Sequence, residues 1–207
     1  MDTAKNFIPV VKAVTAGLLH NRSIDEVRVS KTLRGLGLPP DIIPELTLRL
    51  YRAVGARGSG DFRQFGDTLS ITPDSSIGEI AAHLAQAAAK LSGPAIKALS
   101  DDPTEPLGVV ETAVRTAVAE ASRTHSIGEI RAKQTLRRLG LDEADVADLK
   151  TSVYRMLSSK KVRPEFSKYV KKAKITRGST VGEVVKLSRK AFMKVRDFTE
   201  DPTDILG

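Results

Sequence analysis

The sequence contains no cysteine and no tryptophan, and aromatic residues fill only 4% of its 207 positions. The missing cysteines exclude disulfides, thiolate metal sites and cysteine nucleophiles together, and leave no reason to expect an oxidising compartment. Few aromatics beside plentiful Ala, Leu, Val and Arg favour helices over strands. No apolar run is long enough to span a bilayer. The opening MDTAKNFIPVVKAV has no basic stretch ahead of a continuous apolar one, so no signal peptide is read there. The expected location is the cytoplasm. Catalytic spacing is missing too. No two of His20, His83 and His125 stand at metal-ligand spacing from each other, and all three read as solvated or helix-end residues. The pairs Asp101-Asp102 and Asp142-Glu143 fall at expected helix ends, where capping accounts for them. Neither an enzyme nor a cofactor is expected.

What is present is a repeat. Ser23 to Arg52, SIDEVRVSKTLRGLGLPPDIIPELTLRLYR, aligns without gaps to Ser126 to Arg155, SIGEIRAKQTLRRLGLDEADVADLKTSVYR, with about 13 of 30 positions identical. The shared residues include Thr32/Thr135, Leu33/Leu136, Leu36/Leu139, Gly37/Gly140, Leu38/Leu141, Leu46/Leu149 and Tyr51/Tyr154. The expected organisation is two units of about 100 residues, 1–103 and 104–207, each large enough to bury its own core. Asp-Pro-Thr followed by Leu-Gly closes both, at Asp102 to Gly108 and Asp201 to Gly207. That recurrence suggests an array cut at a module boundary, or a fragment of a longer chain.

Apolar spacing predicts helices over Thr3 to Leu19, with Pro9 bending or delaying the start, and over Val109 to Ala121. Four capping boxes, Ser23–Glu26, Ser76–Glu79, Ser126–Glu129 and Thr180–Glu183, mark four helix starts. At the first, β-branched Val27 and Val29 favour a short turn leading into extended chain. Leu-Gly-Leu at Leu36–Leu38 and Leu139–Leu141 sets a turn, after which Pro40 and Glu143 stand near the start of helices ending at Tyr51-Arg52 and Tyr154-Arg155. The Gly-rich GARGSG at Gly55 to Gly60 matches no nucleotide fingerprint and reads as a connection.

This layout resembles an acyl or peptidyl carrier protein domain, here in tandem. The residues that carry the likeness are Thr32-Leu33 to Leu38 with Glu45-Leu46, Thr135-Leu136 to Leu141 with Asp148-Leu149, and Ile77-Gly78-Glu79 and Val181-Gly182-Glu183. The resemblance implies an all-α fold of two tandem four-helix acyl-carrier-like bundles related by internal duplication. Carrier domains place Asp-Ser-Leu after Leu-Gly-x, and the serine takes a phosphopantetheine arm. Here Pro39-Pro40-Asp41 and Asp142-Glu143-Ala144 stand there, so the serine positions are Pro40 and Glu143 and no arm is expected.

The charge is unevenly divided. Residues 1–103 carry 12 Lys and Arg against 11 Asp and Glu, whereas 104–207 carry 21 against 14. Most of the surplus lies between Lys160 and Lys194. The candidate binding residues are Lys160, Lys161, Arg163, Lys168, Lys171, Lys172, Lys174, Arg177, Lys186, Arg189, Lys190 and Lys194, with Phe166 and Tyr169 interleaved. Three readings fit such a run: a solvated face, a dock for an acidic protein, or a nucleic-acid surface. As a function, the pattern suggests a non-catalytic interaction protein whose basic second unit docks an acidic partner, with nucleic-acid binding as the alternative.

Overall fold

The computed structural model describes residues 4–19, 21–54, 69–90, 108–122, 124–158 and 172–197, with the backbone alone at 54, 88–90 and 194–197. Its described residues form seven α-helices and no strand, so the fold is all-α. The helices are α1 (Ala4–Leu19), α2 (Leu33–Leu36), α3 (Ile43–Val54), α4 (Ile77–Lys90), α5 (Val109–Ser122), α6 (Glu143–Leu157) and α7 (Val181–Asp197). A 3-10 turn, Pro40–Ile42, leads into α3.

The apolar stripes read from the sequence are the buried faces. Phe7, Val10, Val11, Val14 and Leu18 of α1 are buried, as are Val110, Ala113, Val114, Ala117 and Val118 of α5. Pro9 lies inside α1 and does not delay its start, because the helix already runs from Ala4. Both second helices continue past the tyrosines, α3 to Val54 and α6 to Leu157.

Only two of the four capping boxes open helices. At Ser76 and Thr180 the box closes both ways: Glu79 and Glu183 accept from the Ser76 and Thr180 amides at 2.7 Å, and their own amides donate to the hydroxyls at 3.2 Å. At Ser23 and Ser126 the glutamate accepts from the backbone amide, but the hydroxyl turns to donate to the same carboxylate. The glutamate's own amide donates to the serine carbonyl in a turn, and not to the hydroxyl. The expected helix start at Ser126 is therefore a turn, like its counterpart at Ser23.

Beyond each turn the aligned segments make the same bonds. The Leu33 amide donates to the Ser75 carbonyl, and the Leu136 amide to that of Ser179, each at 3.0 Å. Gly78 and Gly182 donate back to Val29 and Ala132 at 3.0 and 2.8 Å. These bonds tie the Thr32 and Thr135 loops to the starts of α4 and α7, through isolated antiparallel bridges Thr32–Ser76 and Thr135–Thr180. Gly37 and Gly140 hold φ of 83° and 82°, the left-handed region that L side chains resist, and so turn the chain after the buried Leu36 and Leu139. The two segments differ at one step: Leu33–Leu36 closes a helical turn, whereas Leu136–Leu139 does not.

The core runs through both segments. α1 packs on α3 and α4 of its own segment, and also on α5 and α6. Correspondingly, α5 packs on α6 and α7 and also on α3. Two backbone bonds cross between segments: Ile24 N–H to the Met156 carbonyl at 2.9 Å, and Ile127 N–H to the Ala53 carbonyl at 3.0 Å. Both isoleucines are buried at this seam, each contributing roughly 2 kcal/mol of apolar transfer.

Candidate docking face

The outward side of α7 carries three of the candidate basic residues. Val181 and Val184 are buried against the core and Val185 and Phe192 are half-buried, which turns Lys186, Arg189 and Lys190 to solvent. The three line a groove of about 360 Å³ with Gly182, Val185 and Met193. Met193 is 53% exposed, more than Val29 or Leu187, the other large hydrophobics exposed among the described residues. The face therefore joins cations to an apolar floor, which solubility alone does not require.

Lys172 and Lys174 are exposed in the segment that leads into α7. Arg177 is different. Its Nε donates to the Leu141 carbonyl at 3.1 Å, which closes the loop before α7 onto the Leu-Gly-Leu turn. Arg177 is thus engaged in holding the fold as well as in adding charge. Lys194 lies on α7, where only its backbone is described. Lys160, Lys161, Arg163, Lys168 and Lys171 lie outside the described residues, with Phe166 and Tyr169. So do His20, the Gly55–Gly60 loop, the Asp101-Asp102 pair, and the expected junction at 103–106.

Pro40 and Glu143 both stand at helix starts. Pro40 is the first residue of the 3-10 turn, where its fixed φ suits the position. Glu143 opens α6 one residue after Asp142, which caps the helix. The Asp142 carboxylate accepts the Asp145 amide at 2.8 Å, and Asp145 accepts the Asp142 amide at 3.0 Å. That amide bond holds the Asp142 carboxyl below the usual carboxylate range. Among the described residues no group of three or more His, Asp or Glu side chains is placed to hold a metal ion. His125 Nδ1 pairs with the Thr124 hydroxyl at 2.9 Å, and His83 is half-buried on α4. No described helix is long and apolar enough to cross a membrane.

One ionisable residue at the seam is not evident from motif reading. Glu120 sits near the end of α5 with its side chain only 10% exposed, 3.8 Å from Arg49 of α3. The available signal was a single acid close behind the apolar stripe Val114, Ala117 and Val118, at the position where the first segment has Gly17.

No known protein family, no curated protein and no solved structure matches the chain.

Proposed function

We propose that the chain is a non-catalytic interaction protein, built from two degenerate acyl-carrier-like four-helix units in tandem, that docks an acidic protein partner through the basic second unit. The observation that carries the proposal is the α7 face, where Lys186, Arg189 and Lys190 surround the exposed Met193 and half-buried Val185. An acidic segment with an apolar anchor would meet both charge and floor. The carrier-like part rests on the recurrent Leu-Gly-Leu turns with left-handed Gly37 and Gly140, and on Pro40 and Glu143 where an attachment serine would stand.

The proposal is tested by affinity capture from the native host at two salt concentrations, using the intact chain and a Lys186→Glu/Lys190→Glu variant. An acidic protein retained at moderate salt, resistant to competitor DNA and lost in the variant is the expected result. Binding to unrelated duplexes that weakens steeply with salt would replace the proposal with nucleic-acid binding. Identical capture by both proteins would leave the face as solvating charge. A mass increase after incubation with a phosphopantetheinyl transferase would overturn the non-carrier reading.

A further inference from the structure

Two helix crossings join the segments, and matching positions fill them differently. Where α1 meets α6, Gly17 leaves space for Met156: a Cβ at Gly17 would lie 3.4 Å from the methionine Cγ. Met156 is fully buried there. Continued without gaps past both of its ends, the alignment sets Glu120 against Gly17 and Ala53 against Met156. At the α3–α5 crossing there is accordingly no thioether plug. A cleft of about 280 Å³ opens over α5, with Glu120 in its wall.

The carboxyl is poorly served. Glu120 Oε1 is buried without a hydrogen-bond partner, and Oε2 stands 3.8 Å from Arg49 Nη1, beyond hydrogen-bond reach. Arg49 is itself held by Glu45 at 2.7 Å. An ionised carboxylate so placed lacks the partners that would offset its lost hydration.

We propose that the α3–α5 crossing is a proton-linked latch, closed while Glu120 is neutral and loosened when Glu120 ionises, whereas the matching α1–α6 crossing has no such response. Burial pushes the Glu120 carboxyl up to about 7, against the pull of Arg49 and Arg52 and with Glu45 adding to the rise. The other charged groups lining the cleft are Asp145, Asp148 and Arg155 of α6. On α5 itself, Glu111 and Arg115 pair with each other at 2.6 Å. Among the described side chains neither α1 nor α7 contributes a charged one to the cleft lining, which does not include Lys5, Lys12, Glu183, Lys186, Arg189 or Lys190. Ionisation therefore leaves a carboxylate whose nearest cation is already shared, and its buried Oε1 gains a partner only if the crossing loosens.

The seam supplies its own reporter and its own control. The Ala53 carbonyl, adjacent to Arg52, accepts the Ile127 amide, while the Met156 carbonyl accepts the Ile24 amide. The test is hydrogen exchange at these two amides in the intact chain, from about pH 5.5 to 8.5, corrected for intrinsic exchange. The expected result is a loss of about tenfold in protection at Ile127, constant protection at Ile24, and no loss in Glu120→Gln. Constant protection at Ile127, parallel loss at both amides, or an unchanged loss in the variant would overturn the latch. Should the variant fail to fold, a carboxyl carbon titration of Glu120 decides. A midpoint near 7 together with the Ile127-specific loss upholds it, and one near 4.5 sinks it.

Discussion

The amide of Ile24 donates to the carbonyl of Met156 across 2.9 Å, and the aligned pair, Ile127 and Ala53, makes the same bond in the opposite sense at 3.0 Å. Each segment thus hands one backbone donor and one acceptor to the other, just past its first helix and near the end of its second. The reciprocal bonds, with the α1–α5, α1–α6 and α3–α5 contacts, make a single core out of two similar lengths of chain.

Met156→Ala should lower stability by about 2–5 kcal/mol, because the truncated side chain leaves a cavity that Gly17 cannot fill. Denaturant unfolding checks the size of the loss. The two segments should also unfold in one transition by both helical and tertiary probes, since the α1–α6 seam belongs to each. Two separated transitions would contradict the shared core.

Gly37→Ala and Gly140→Ala should each cost about 1–2 kcal/mol. Nothing lies within 4 Å of a Cβ built at either position, so the cost is backbone conformation and not collision. Asn at the same sites should cost less, because it tolerates the left-handed region. Thermal melts of the four variants separate these cases.

Stability should pass through a maximum in mildly acid solution. The Ser76 amide holds Glu79, and the Asp145 amide holds Asp142, below their ordinary values. Their contribution is present above the unfolded carboxylate range and is lost as pH falls through the depressed folded values. Glu120 has the opposite sign: its folded value is raised from 4.5 to about 7, so its contribution is complete below 4.5 and is lost as pH rises through 7. That loss is on the order of 3 kcal/mol, and Glu120→Gln should flatten the fall on the high-pH side of the maximum, up to about 7, without altering the acid limb. Urea midpoints measured across pH check both limbs.

Much of the local structure was legible in the sequence, because helix stripes and Leu-Gly-Leu turns are short-range features. The span of α1, the buried face of α5 and the left-handed glycines follow from periodicity and backbone sterics. The Ser126 box shows the limit: the same four residue types open a helix only when the hydroxyl meets the glutamate's amide, and at Ser126 it meets the carboxylate. The seam was barely legible. Gly17 against Met156 and Glu120 near Arg49 are matches between distant positions, and the one local signal, an acid behind the apolar stripe of α5, does not name its partner. The basic run was visible as charge, but the diversion of Arg177 to the Leu141 carbonyl is a tertiary event.

The helices are not equally committed. α1, α3, α5 and α6 interlock, whereas α4 rests chiefly on α1 and α7 chiefly on α5. A substitution on an inner helix has to suit neighbours from both segments, but the outer side of α4 or α7 has none to satisfy among these packing partners. The outer faces are the freer to diverge, and there too the pair has parted company: α4 is rich in alanine, and α7 is studded with cations. A scaffold of this kind can acquire or discard a recognition surface on one rim while its interior stays as it was.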